Sequence, residues 1–174
     1  MKRAWIVFLA MMLIAGFAQA ELKIGYIDSE KILLDYEESK DALSKLEAQN
    51  RRYQEEFQEM QVRYQNLLEE YEKKKFVATD LWKKQKEEEA EKLAMDIQNY
   101  QMTKFGPQGE IYKKEAELMA PVLEKINNIL KKIGAEGGYD YIIDTAQRSI
   151  VFANPKHDLT SVVLYELSKA TEIK

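Results

Sequence analysis

LSKLEAQNRRYQEEFQEMQVRYQNLLEEY, residues 43–71, decides the architecture of this chain. Leu43, Leu46, Asn50, Tyr53, Phe57, Met60, Tyr64, Leu67 and Tyr71 follow one another at spacings of three and four without a break. On an α-helix that repeat gathers the side chains into one narrow stripe, the seam geometry of paired helices. The seam is rich in Tyr and Phe, where a generic coiled coil would carry aliphatic residues, and it includes one Asn. Charged residues such as Glu55, Glu56, Arg63, Glu69 and Glu70 occupy the other faces. No Gly or Pro occurs from Ser39 to Lys75, so a single uninterrupted helix is expected.

Further along, Phe76-Val77-Ala78-Thr79-Asp80 breaks the pattern, and Thr79 or Asp80 can cap a new helix. The helical region runs from about residue 30 to 133, so this break lies near its middle and reads as a hairpin tip at 76–82. A weaker seam follows: Trp82, Ala90, Leu93, Ile97 and Tyr100, then Ile111, Leu118, Val122, Ile126, Ile129 and Ile133. An arm of about 45 residues at ~1.5 Å per residue would reach ~65–70 Å. Gly106, Pro107 and Gly109 interrupt the return arm. Proline removes a helical hydrogen bond and glycine loosens the backbone. The break reads either as a kink or short loop, or as a hinge for the distal arm. Pro121 marks a place for a second bend.

Short β-like segments flank the hairpin. Leu22, Ile24 and Tyr26 alternate with other residues as in a strand, and Asp28 or Ser29 can cap the helix that follows, with a break expected near Asp35-Tyr36-Glu37. At the far end, Gly134 reads as a left-handed helix cap and Gly137-Gly138 as a turn. Tyr139–Asp144 and Ser149–Ala153 read as two more strands, and Asp158 or Thr160 caps a last amphipathic helix carrying Val162, Val163, Leu164 and Leu167. Three short strands make a poor core alone. Strands from several copies closing into one barrel would supply the core and remove the open edges. The expected fold is therefore α+β and mostly helical, with residues 30–133 as a projecting hairpin. Residues 21–29 and 134–174 form a β-rich oligomerisation body through Ile24, Tyr26, Tyr141, Ile143, Val151 and Phe152.

The first twenty residues read as an export signal. Lys2 and Arg3 precede an apolar run from Ala4 to Phe17, and Ala18-Gln19-Ala20 offers a cleavage site. The run is short for a membrane span. Absence of Cys excludes a lipid-modified cysteine and any disulfide framework. Without Lys2 and Arg3, 24 basic residues face 30 acidic ones, net −6. A general nucleic-acid binder is expected to be basic, so that class is not expected.

Four segments, in this order, resemble the Skp family, the OmpH-like periplasmic chaperones. They are Lys23-Ile24-Gly25-Tyr26-Ile27-Asp28-Ser29, Glu117-Leu118-Met119-Ala120-Pro121-Val122-Leu123, Gly138-Tyr139-Asp140-Tyr141-Ile142-Ile143-Asp144, and Asn154-Pro155-Lys156-His157-Asp158-Leu159-Thr160. The resemblance covers essentially the whole chain after residue 20. It implies a homotrimer with a β-barrel body and three helical tentacles around a cavity. There the family holds unfolded outer-membrane β-barrel proteins in the periplasm. The best-known members are strongly basic, whereas this chain is acidic.

Two surfaces are candidates for binding. Tyr53, Phe57, Met60, Tyr64, Tyr71, Met95 and Tyr100 read either as hairpin core or as soft, adaptable contacts for unfolded clients. At the tip, Lys73, Lys74, Lys75, Lys83, Lys84 and Lys86 stand against Asp80 alone, with Phe76 and Trp82 among them. Such a patch suits anionic lipid head groups, at ~1 kcal/mol per Lys, or is a solvated helix end. His157 is the only histidine, and it reads as a surface residue at a helix start. No phosphate-binding loop, nucleophile elbow or metal-ligand spacing occurs, so neither enzyme activity nor a cofactor is expected. The expected function is an ATP-independent holdase. The alternative is a structural coiled-coil spacer or an adaptor for a folded partner.

Overall fold

The computed structural model describes residues 22–147 and 150–172. The expected export signal and Ser149 lie outside the described residues. Strand β1 (Ile24–Ile27) leads into helix α1 (Ser29–Asp35), whose N-cap Asp28 accepts from the Lys31 N–H at 3.0 Å. Tyr36 adopts an extended conformation and turns its ring into the base, which separates α1 from the long helix α2 (Glu37–Lys74). After the tip, α3 (Asp80–Phe105) and α4 (Glu110–Gly137) return to the base. Strand β2 (Tyr141–Asp144), a 3-10 turn (Pro155–His157) and α5 (Thr160–Glu172) complete the chain. At 38 residues, α2 is about 57 Å long.

Several details differ from the sequence reading. The last helix of the hairpin continues through Gly134 to Gly137, and the left-handed cap is Gly138 at φ 63°, ψ 38°. Gly138 can adopt that conformation because it has no Cβ to clash. Ile150–Ala153 carry no strand. A strand exists only when paired, and among the described residues no strand pairs with them. The seam begins at Ala42, which is buried, while Leu43 next to it is exposed. The inner stripe at the base thus runs Ser39, Ala42, Leu46, one position offset from the repeat farther out.

The core sits in the base. Ile27, Ile32, Tyr36, Val122, Ile126, Ile133, Leu159, Val163 and Leu167 pack together there, with Leu33, Ile129, Tyr139 and Ile142 against them. β1 and β2 pair in parallel, with Ile24 opposite Tyr141 and Tyr26 opposite Ile143. Gly25, Ile27 and Ile142 lie on the side toward the helices. Ile24, Tyr26, Tyr141 and Ile143 lie on the other. The strand ends are tied by side chains. Ser29 Oγ donates to Asp144 Oδ2 at 2.6 Å, the Asp28 N–H donates to Thr160 Oγ1 at 3.0 Å, and the Thr160 N–H donates to Asp158 Oδ1 at 2.8 Å. Leu167 is fully buried among these apolar groups, whereas Ser39 Oγ is buried without a hydrogen-bond partner. Leu167→Ala should cost about 2–5 kcal/mol through lost burial and the cavity left behind. Ser39→Ala, which removes an unsatisfied polar atom, should leave stability unchanged or raise it. Urea unfolding of the two variants checks both signs.

Candidate functional site

The hairpin stripe that the 3-4 repeat defines is an interior. From Leu46 outward, Asn50, Tyr53, Phe57, Met60, Tyr64 and Tyr71 are half-buried and Leu67 is buried against the return arm. Tyr53 and Phe57 meet Tyr100 and Phe105 in a four-ring cluster with centroid distances of 6.2–6.5 Å. Near the tip, Tyr71 stacks on Trp82 at 6.0 Å with only 10° between the planes. Two helices cannot cover a whole aromatic ring, and the hydroxyls reach carboxylates at the seam's edge. Tyr53 donates to Glu110 Oε2 at 2.7 Å, Tyr100 donates to Glu56 Oε2 at 2.6 Å, and Tyr71 donates to Glu87. Of the seven side chains that sequence reasoning offered for client contact, six line this seam. Met95 alone is exposed.

The aromatic cluster brackets the Gly106-Pro107 break. Lys104, before it, and Glu110, after it, form an ion pair at 2.6 Å that also receives the Tyr53 hydroxyl, and Lys104 Nζ lies 4.8 Å from the Tyr53 ring centroid. Gly106 and Gly109 both have ordinary negative φ, −63° and −67°, so conformational freedom is not what requires glycine here. Space is: a Cβ at Gly106 would sit 2.3 Å from Met102 O, and one at Gly109 would sit 2.7 Å from Lys104 O. Unbroken α2 runs past the break as a splint.

Titration of this clamp has a definite sign. The hydrogen bond from Lys104, then that from Tyr53, holds the Glu110 carboxyl below the usual carboxylate range. The bond to Glu110 raises Tyr53 and Lys104, and burial followed by the Glu56 bond raises Tyr100. Glu110 therefore stabilises the fold above about pH 4 and loses that contribution as pH falls through its lowered folded value. Tyr53, Tyr100 and Lys104 contribute below about pH 10 and lose it as pH rises through their raised values. Glu110→Gln should lower Tm by a few degrees at neutral pH, and the difference from the native protein should vanish in acid. Thermal melts followed by circular dichroism between pH 3 and 9 check this.

What the seam leaves outside is a second surface. On α3, Met95 and Met102 lie on one face and are 51% and 64% exposed. Gln98, Met102 and Phe105 line a shallow groove of about 330 Å³ on that side. Val62, Leu68 and Tyr112 add exposed apolar area elsewhere on the hairpin. Sequence reasoning found Met95 and missed Met102, although the seven-residue spacing between them places both on one helix face.

At the base, the outer side of the sheet is apolar. Ile24, Tyr141 and Ile143 are exposed there, and Leu22, Tyr26, Ile150 and Phe152 line a groove with Ile24 and Ile143. Val151 and Phe152 are 100% and 85% exposed. Leu159 N–H donates to Tyr26 O at 2.8 Å and covers part of one edge of β1. Among the described residues, no third strand pairs with the outer edge of β2.

At the tip, the six lysines are not free charges. Lys73, Lys74 and Lys75 pair with Glu69, Glu70 and Glu72. Lys83 and Lys84 pair with Asp80 and Glu88, and Lys86 with Glu70 and Glu89. Trp82 is half-buried on Tyr71, while Phe76, Val77 and Leu81 are exposed. Among the described residues no cluster of His, Asp or Glu is placed to hold a metal ion, and no helix is long and apolar enough to cross a membrane.

A family model described as Outer membrane protein (OmpH-like) matches residues 23–167, the hairpin together with both flanks of the base. The chain belongs to the OmpH-like family. The Chaperone protein Skp of Vibrio cholerae is 24% identical over 163 residues, covering 91% of each chain. A solved structure described as a putative outer membrane chaperone (OmpH-like), from Caulobacter crescentus, superposes with a TM-score of 0.72 at 16% identity, covering 88% of each chain. The fold of this chain is thus the mostly helical OmpH-like fold, with long helices and a small strand part.

Proposed function

We propose that this protein is an ATP-independent holdase of the periplasm, keeping unfolded outer-membrane β-barrel proteins soluble between the hairpins of a homotrimer. Membership of the OmpH-like family and similarity to a Skp chaperone support a chaperone role. The observation that carries the reading is the exposed methionine face of α3. Met95 and Met102 lie on solvent-exposed helix surface beside the Phe105 groove, outside the seam that holds the hairpin together. Methionine is flexible and polarisable, so it can fit many side-chain shapes without selecting one. Such contacts hold a chain without imposing a fold on it.

The Tyr-rich seam supports the holdase in a different way. Its rings keep a thin hairpin straight, and so leave the outer faces available for clients. The base supplies assembly: a parallel sheet with apolar side chains on both faces is characteristic of one that is covered on both. Ile24, Tyr26, Tyr141, Ile143, Val151 and Phe152 would be covered by other copies, with Ile150–Ala153 adding as a strand to a neighbour's β2.

Met95→Glu with Met102→Glu should raise aggregation of a urea-unfolded outer-membrane barrel protein diluted into the chaperone, by about tenfold in the chaperone concentration needed. Oligomeric mass and helical content should not change, because both side chains lie outside the seam. Light scattering of the diluted client checks this. Native-like protection by the double variant would favour the spacer or adaptor reading.

A further inference from the structure

One stretch of the hairpin is nearly free of charge. Residues 97–109, which end α3 and form the break after it, contain a single charged residue, Lys104, in a chain that is 32% charged. That lysine is committed to Glu110 across the break. In place of charges the stretch carries amides, Gln98, Asn99, Gln101 and Gln108, and it is bounded by Asp96 and Glu110.

The neutral stretch is laid out as a site. Met95, Gln98, Met102 and Phe105 follow one another at three, four and three, so they form a stripe on α3 separate from the seam residues Leu93, Ile97 and Tyr100. The groove there is lined by Gln98, Gln101, Met102, Phe105 and Gly106, with no charged side chain, and holds about 330 Å³. That is the lower end of ligand-sized sites, ~300–1,000 Å³, with room for a side chain rather than a folded element. Its walls differ in stiffness. The Phe105 ring meets Tyr53 and Phe57 at 6.3 and 6.2 Å, steeply inclined to both, and is held from the seam side. Met102 is exposed and can change rotamer to suit what enters. At the far end the Gly106 N–H donates to Met102 O and its carbonyl accepts from Gly109, so the backbone there is already paired. Gln98 and Gln101 are exposed, and among the described residues neither side-chain amide has a hydrogen-bond partner.

We propose that this groove is a subsite for an aromatic side chain carried on an uncharged, extended stretch of client. A ring entering between Phe105 and Met102 gains a ring-to-ring contact on one side and a thioether contact on the other, and an aliphatic side chain of similar size gains neither. A primary amide is both donor and acceptor, so Gln98 and Gln101 can pair with the N–H and C=O groups of a passing backbone in either direction. A charged segment would lose hydration there and find no counter-charge. Strands of membrane β-barrels carry both features, an apolar band flanked by aromatic girdles. The proposal rests on the holdase reading and adds what a client must present.

Fluorescence anisotropy of the full protein with labelled, uncharged peptides tests the proposal. One peptide carries tyrosines among Ser, Thr and Asn, and a second has leucine in place of each tyrosine. The native protein should bind the tyrosine peptide about fivefold or more tightly than the leucine peptide. Gln98→Glu with Gln101→Glu, and equally Gln98→Lys with Gln101→Lys, should weaken the tyrosine peptide severalfold. Both variants should keep the native oligomeric mass and helical content, because these side chains are exposed. Equal affinity of the native protein for the two peptides would overturn the proposal. So would a tyrosine preference that survives in both variants, or one that Glu removes and Lys increases, since the ring would then be read elsewhere or the peptide by charge. Protection of a diluted barrel client by the native protein is measured alongside. Its absence would overturn the holdase reading, while the peptide affinities decide the subsite separately.

Discussion

Four ladder positions between β1 and β2 hold the whole excursion of the hairpin closed. Ile24 meets Tyr141 and Ile27 meets Asp144 across everything that lies between, and Ser29 ties to Asp144 just beyond. A two-stranded sheet is marginal in water by itself. This one is covered by α1, α4 and α5 on the side of Ile27 and Ile142, and on the other side it presents Ile24, Tyr26, Tyr141 and Ile143. The hairpin's position, and the orientation of its faces, depend on that sheet and the helices packed against it.

Given a fixed base, the hairpin needs one seam to stay straight. The seam uses aromatic rings because two helices alone bury little, and a ring spans the gap while its hydroxyl reaches an edge carboxylate. Tyr53, Tyr71 and Tyr100 each do so. The same clamp stiffens the Gly106-Pro107 break, where Lys104 and Glu110 meet across the interruption. A hinge at that point would have to bend α2 and separate this pair.

Much of this was legible in the sequence because helix periodicity is local. The unbroken 3-4 repeat marked the seam, and Phe76–Asp80 marked the turn. Patterns that depend on distant partners were harder to read. Ile150–Ala153 looked like a strand from its β-branched and aromatic residues, but a strand forms only beside a partner, which propensity does not supply. Gly134 and Gly138 look alike in sequence, and only the packing of α4 on the base decides which takes positive φ. The tip lysines summed to a strong positive patch along the sequence. In space, glutamates one turn behind them offset it, and the unpaired feature of the apex is apolar. Met102 is less legible because it lies off the continuous 3-4 repeat, on a face marked only by its seven-residue interval from Met95.

The proposed holdase requires a base that is incomplete in one chain and is completed by two more copies. Sedimentation equilibrium on the purified protein, across a wide range of concentration, tests it most directly. The account predicts a single species with three times the chain mass that does not dissociate without unfolding. A folded monomer whose β1 and β2 amides stay protected from hydrogen exchange would contradict it.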